Sequence, residues 1–380
     1  MTDPRQKALL PAGLQDLLPP LADQEDGLSR ALLDRFVRFG YQRVKPPLVE
    51  FETGLLDGVG AAVAEQTFRI MDPVSQRMMG LRADITPQIA RIAATRLSAE
   101  PRPLRLCYVG EVLRVRGGQL REDRQFRQIG VELIGPARAG TADAEVILLA
   151  AEALAEIGIE GLSVDINVPD LADAICDAFT LDDETRARVL AAIDRKDAAA
   201  LAEAAENGAK GEVARVFGRL LSVDCAADGL SEVPARLVER LREVVELVRA
   251  SAPDLTLTVD PLERRGFEYH SGISFTLYAL GARTELGFGG RYITAGGEPA
   301  TGFTLLGDAL LGAAPKPAVP DRLFVPYEAP AEVAAAARAD GWQTVKGLIA
   351  SDNGDAAEAQ RLACTHIWQD GAIRLLAGDD

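Results

Sequence analysis

The residues with the most chemical promise lie in one stretch, Arg105 to Gly135, RLCYVGEVLRVRGGQLREDRQFRQIGVELIG. It reads as two strands joined by a charged loop that is broken at Gly117-Gly118. The first run, Leu106 to Val115, is rich in Leu, Val and Tyr, and the second, Arg124 to Ile134, alternates. Successive strand residues face opposite sides, so Ile129, Val131 and Leu133 share one face. Phe126, Gln128 and Glu132 share the other, with the amide and the carboxylate about 13 Å apart at ~3.3 Å per residue. Such a face beside a basic loop would make a floor for a polar ligand. The same spacing also suits an ordinary amphipathic hairpin whose polar face meets water.

The elements that must hold this floor can be followed along the chain. A polar, Pro-rich leader runs to Pro20, and residues 22–39 carry Leu28, Leu32, Leu33, Phe36 and Phe39 at helical spacing. Gly40 ends that helix, and the segment after it, with Pro46-Pro47, suits an edge or interface strand. Residues 67–81 form a hairpin turning at Asp72-Pro73, and Arg82 to Thr86 a short polar strand end. Pro87 then opens a helix, where its missing N–H costs little. Thr141 to Ile157 is helical and LSVDINV is a strand. From Asp170 to about Ala252, Ala, Leu and charged residues replace the alternation, which reads as an inserted helical bundle. Strands return in DLTLTVD, Ser274 to Leu280 and Gly287 to Tyr292. The expected organisation is α+β: a core over 1–168 and 253–312, a helical insertion over 169–252, a linker over 313–321, and a small α/β unit over 322–380.

Composition narrows the function classes. The 380 residues are 48% hydrophobic and 26% charged, and no apolar run is long enough to span a membrane. The N-terminus lacks a secretory signal pattern, and Cys107, Cys176, Cys225 and Cys364 form no C-x-x-C pair, so a cytoplasmic protein with free thiols is expected. With only His270 and His366, a zinc site is not expected, nor is any cofactor. The formal charge of −16 opposes general nucleic-acid binding.

Several segments in order resemble the histidyl-tRNA synthetase family of class II aminoacyl-tRNA synthetases, over roughly residues 11–312. Pro11 to Asp16 resembles that family's N-terminal signature, Gly40 to Glu50 its dimer-forming motif 1, and Arg105 to Gly135 its motif 2. Leu81 to Thr86 matches the segment that grips the amino acid's ammonium group. Arg265-Gly266-Phe267-Glu268-Tyr269-His270 resembles the arginine-led motif of histidine-specific members, and Gly289-Gly290-Arg291-Tyr292 their glycine-rich strand. The resemblance implies the class II fold, an antiparallel sheet flanked by helices. It also implies a histidine pocket: Asp84 and Thr86 for the ammonium, Arg265 for the carboxylate. Arg114, the motif 2 arginine, joins them, Gln128 and Glu132 line the floor, and Tyr269 and His270 face the imidazole.

The departures fall on the ATP and tRNA side. Two residues after Arg114 the family has a glutamate for adenine, and Arg116 stands here. Ala309 takes the place of the motif 3 arginine, and the C-terminal unit is too short for the usual anticodon-binding domain. A methyl group supplies neither the charge nor the donors of a guanidinium fork. A chain that keeps a histidine pocket without adenylation resembles one branch of that family, the regulatory subunits of ATP phosphoribosyltransferase. That resemblance implies no catalytic residues, a short-form catalytic subunit as partner, a motif 1 homodimer, free histidine as feedback ligand, and no tRNA or membrane. An active synthetase and a free-standing histidine- or tRNA-sensing module are the other readings. The former is opposed by Arg116 and Ala309, the latter by the net acidity.

A first test follows from these two positions. Losing one preorganised donor already costs roughly 3 kcal/mol, about a hundredfold in rate. The isolated chain should give no histidine-dependent exchange of pyrophosphate into ATP, and measurable exchange would restore the synthetase reading.

Overall fold

A computed structural model describes residues 9–118, 121–135, 138–206, 211–221, 230–264, 270–317, 320–350 and 354–376. Helix α1 (Leu21–Arg38) buries Leu32, Leu33 and Phe36 along one stripe, and Gly40 turns the chain beyond it at φ +84°. Strands β1 (Gln42–Arg43) and β2 (Val49–Phe51) flank Pro46-Pro47. A one-turn helix α2 (Glu52–Leu55) and a 3-10 helix (Gly58–Gln66) precede the hairpin β3 (Arg69–Met71) and β4 (Met78–Leu81). Its turn is built by Asp72, whose carboxylate accepts the N–H groups of Val74 and Ser75, both at 3.1 Å. Helix α3 (Thr86–Thr95) has Pro87 in its first turn.

The long strands β5 (Leu104–Leu113) and β6 (Gln125–Ile134) lead into α4 (Ala139–Glu156) and β7 (Leu162–Asn167). Helices α5 (Leu171–Ala178), α6 (Asp183–Asp194), α7 (Ala198–Glu206), α8 (Gly211–Leu221) and α9 (Glu232–Ser251) then interrupt the strands. The sheet resumes with β8 (Thr256–Val259), β9 (Ser274–Ala279), β10 (Gly287–Ile293) and β11 (Pro299–Leu306), before α10 (Gly307–Ala313). The strand order is β1-β5-β6-β11-β10-β9-β7-β8. The six inner strands pair antiparallel, while β1 joins β5 and β8 joins β7 in parallel. A second small sheet, β2-β4-β3, lies beside Pro46-Pro47 in sequence. No described helix is long and apolar enough to cross a membrane.

Register sorts the side chains into two faces. Glu132 pairs with Leu106 and Gly302, and Gly130 with Tyr108 and Thr304, so these residues share one side. Leu106, Tyr108, Phe126 and Ile134 there form a core with Ile85, Ile89 and Ala93 of the α3 region. On the reverse side Cys107, Ile129, Val131, Leu133 and Phe303 join α1, α4 and the inserted helices in one larger core. The polar face of β6 therefore does not meet water. Gln128 and Glu132 are both buried, because α3 covers the face that an isolated hairpin would leave wet.

The apolar side of α1 faces inward. Its stripe of Leu32, Leu33 and Phe36 is consumed by the protomer's own core, with Phe36 edge-on to Phe303 at 5.6 Å between centroids. The exposed apolar side chains near motif 1 are instead Leu48, Phe51, Ile70, Met71 and Met78, mostly on the small sheet.

The chain divides into compact units at Pro315/Lys316. The second unit has β12 (Arg322–Val325), α11 (Ala331–Ala339), β13 (Gln343–Lys346), α12 (Asp355–Arg361), β14 (His366–Gln369) and β15 (Ala372–Leu375). Its sheet order is β13-β12-β14-β15, with only β15 antiparallel to its neighbour.

In the first unit a buried ion pair fastens the sheet to α4. Arg291 Nη2 and Nε meet Asp143 at 2.7 and 3.2 Å, and the side chains are only 6% and 1% exposed. Removing one partner of such a pair strands a buried charge. Asp143→Ala should lower the free energy of unfolding by about 3–5 kcal/mol in urea titrations; a change under about 1 kcal/mol would show that the pair does not fasten the sheet.

Candidate functional site

The site face collects its polar residues from four strands, β5, β6, β10 and β11, and from α3 with the turn before it. Arg82 fixes the turn before α3: its Nε donates to Glu111 O at 2.7 Å and its Nη1 to Pro46 O at 3.1 Å. Gln128 on β6 accepts the Ile85 N–H at 3.0 Å, and Asp84 accepts the Thr86 N–H at 3.4 Å. Thr86 is thereby aimed at Glu132, and its hydroxyl donates to Glu132 Oε1 at 2.9 Å. Tyr292 on β10 donates to Oε2, also at 2.9 Å. Tyr108 on β5 and Thr304 on β11 share a hydroxyl–hydroxyl bond of 2.7 Å beside them.

Two glycines make this density possible. A Cβ on Gly302 would stand 2.2 Å from Glu132 Oε2, and one on Gly130 would stand 2.5 Å from the Tyr108 hydroxyl. Between the walls lies a small cavity of about 10 Å³, lined by Thr86, Glu132, His270, Phe288, Tyr292 and Thr304, with glycines of β10 and β11.

Burial governs the protonation of this site. Glu132 is pushed up to about 8, chiefly by desolvation; the Tyr292 and Thr86 hydroxyls oppose the rise and Asp84 adds to it. Burial likewise lifts the Tyr108 phenol well above its usual range and lowers His270 to about 4, so its imidazole is neutral. Among the described residues no guanidinium or ammonium bonds to Glu132, and Gln128 Nε2 has no hydrogen-bond partner. The cavity thus offers a carboxyl, a neutral imidazole and hydroxyls to a polar ligand.

The structure brings Thr86, Glu132 and His270 to the cavity itself. Asp84 and Gln128 stand behind them and shape the turn. Arg114 lies apart, its Nε donating to Ala83 O at 3.3 Å and its guanidinium 5.0 Å from the Phe126 ring. Arg265 and Tyr269 lie outside the described residues. Tyr108, Tyr292 and Thr304 had no role in the sequence reading. The signal was there in strand alternation, since each falls in phase with Glu132 once the pairing is known.

Beyond Arg114 the same cleft changes character. Arg121 also faces the Phe126 ring, at 5.4 Å, and its Nε meets Asp308 at 2.7 Å. Ala309, next along, packs its methyl against both cores of the sheet, and Arg116 is exposed.

Comparison with known proteins gives a consistent set of likenesses. The family model described as Histidyl-tRNA synthetase matches residues 13–310. The ATP phosphoribosyltransferase regulatory subunit of Paramagnetospirillum magneticum is 51% identical over 383 residues, covering 99% of this chain and 100% of that one. Its counterpart in Gluconobacter oxydans is 46% identical over 378 residues, covering 97% of each. Two solved structures share the fold. The ATP phosphoribosyltransferase regulatory subunit/histidyl-tRNA synthetase from Bacillus halodurans has a TM-score of 0.77 at 23% identity, over 95% of this chain and 97% of that one. The histidyl-tRNA synthetase from Nostoc sp. has a TM-score of 0.74 at 18% identity, over 95% and 90%.

The raised Glu132 carboxyl makes stability depend on pH with a definite sign. Between its ordinary value of 4.5 and its folded value of about 8, the folded chain holds a proton that the unfolded chain has lost. The contribution is present at low pH and is lost as pH rises through that window. Ligand-free protein should melt progressively lower from about pH 5 to 8, and Glu132→Gln should flatten that part of the profile. An unchanged slope in the variant would assign the titration to another group.

Proposed function

Since the chain belongs to the histidyl-tRNA synthetase family, among its ATP phosphoribosyltransferase regulatory subunits, we propose that it is the histidine-sensing, non-catalytic subunit of that enzyme. It acts in the first step of histidine biosynthesis and assembles with the short-form catalytic subunit in the cytoplasm. The observation that supports the sensing role is the polar cavity around Glu132, beside a nucleotide side where Ala309 stands in the place of the motif 3 arginine. A free histidine brings an ammonium, a carboxylate and an imidazole. Thr86, with Asp84 behind it, takes the ammonium side, Arg265 the carboxylate, and Tyr269 and His270 the imidazole, over the floor of Gln128 and Glu132. The positive charge or N–H of the ligand gives Glu132 the partner that its hydroxyl neighbours do not supply, and favours its ionised form.

The nucleotide side supports the same reading. Arg121 lies against Phe126 and pairs with Asp308, so the chain's own guanidinium takes up surface that a nucleotide would need. Exposed Phe51, Ile70, Met71 and Met78 support a homodimer near motif 1, since a second copy would cover them. Neither tRNA nor a membrane enters this reading. Histidine shifts the partner's activity only through two arrangements that bind it differently, and a coupling of about 1–3 kcal/mol suffices for strong feedback.

Copurification with the short catalytic subunit, followed by histidine titration of activity, tests the assignment. The complex should be active and inhibited by histidine. Arg265→Ala or Glu132→Ala should weaken histidine binding ten- to a hundredfold, the loss of about 1.5–3 kcal/mol expected for an unpartnered buried polar group. Arg265→Ala should leave basal activation in place. Loss of activation and inhibition together, with the complex still assembled, would make the cavity structural; no heat at millimolar histidine would make it vestigial.

A further inference from the structure

The residues that flank 265–269 are held from one place. Asn167, the last residue of β7, is buried, and its two amide atoms reach opposite ends of the same loop. Its Oδ1 accepts the Ser274 hydroxyl at 2.6 Å, and its Nδ2 donates to the Glu263 carbonyl at 2.8 Å. Three residues on, Asp170 at the start of α5 accepts the Gly272 N–H at 3.2 Å. Between these anchors lies His270, buried and lining the cavity, with Ser271 N–H bonded to Arg291 O at 2.7 Å. Exposed ion pairs add to the set, Lys196 with Asp260 at 2.6 Å and Arg264 with Asp194 at 3.4 Å. At such exposure they contribute little, so the buried amide dominates.

We propose that Asn167 and Asp170, at the junction of β7 and the inserted helices, are positioning residues that hold the His270 wall of the ligand cavity. The inference rests on the histidine-binding reading above. A single planar amide that spans residues 263 and 274 fixes their separation. It thereby limits the freedom of His270 to Ile273, next to Ser274, before any ligand arrives.

The test uses the full chain and separates the bonds. Ser274→Ala severs one, Asn167→Asp the other, and Asn167→Ala both; Asp170→Ala removes the Gly272 contact, which Asp170→Asn keeps. Histidine affinity by calorimetry should fall about tenfold in Asn167→Ala and several-fold in each single severance. Ser274→Ala should add nothing further in the Asn167→Ala background, and Asp170→Asn should bind like wild type. Amide hydrogen exchange should quicken at 260–264 and 270–274 and stay unchanged in α4. Lower melting temperatures with unchanged affinity, or exchange that rises uniformly across the sheet, would overturn the proposal. Wild-type protein that takes up no histidine would overturn the ligand reading instead, and the exchange measurement would still decide whether Asn167 holds the loop.

Discussion

The structure depends on a carboxyl group placed where water cannot reach it. Glu132 stands on a central strand, in phase with leucines and aromatic rings, under a helix that closes the face. An isolated charge there would be costly, so the surroundings are shaped to tolerate a proton and to supply hydroxyl donors instead. Gly302 leaves room for one oxygen, Tyr292 caps it, and Thr86 caps the other. Thr86 in turn depends on a turn held by Gln128 and Arg82, which is why so many polar atoms converge on a place where a core would ordinarily be apolar.

Much of this was legible in the residues. Alternation in FRQIGVELI assigned the faces of β6 correctly, and the Asp72-Pro73 turn, the helix opening at Pro87 and the helical run after Asp170 all stand where the spacing put them. The ordered motifs gave the fold. What could not be read was which neighbours complete the face. Tyr108, Tyr292 and Thr304 join Glu132 only through the pairing of strands up to about 200 positions apart, and local periodicity carries no pairing information. For the same reason the stripe on α1 did not reveal that it packs behind the sheet, against Phe303. A helix's apolar face says that it will be covered, not by what.

The two halves of the cleft are built on opposite principles. Around Glu132 the carboxyl oxygens accept hydroxyls, from Thr86 and Tyr292, whereas around Phe126 two guanidiniums share the ring and one of them meets Asp308. Replacing a ligand's contacts by internal ones removes the need for the ligand while keeping the walls in register.

The continuity of the larger core has a further meaning for how this protein could have been assembled and how it can move. Leu171, Val189, Phe217, Val238 and Leu241 of the inserted helices share one apolar cluster with Ile129, Val131 and Phe303 behind the sheet. The insertion is therefore not a cassette: excising it would strip the back of the strands that carry the ligand floor. Nor can it swing as a hinged body, because dense interiors shift by small concerted repacking rather than by opening. Any message carried across it must travel as displacements of an ångström or so, through side chains that have nowhere else to go.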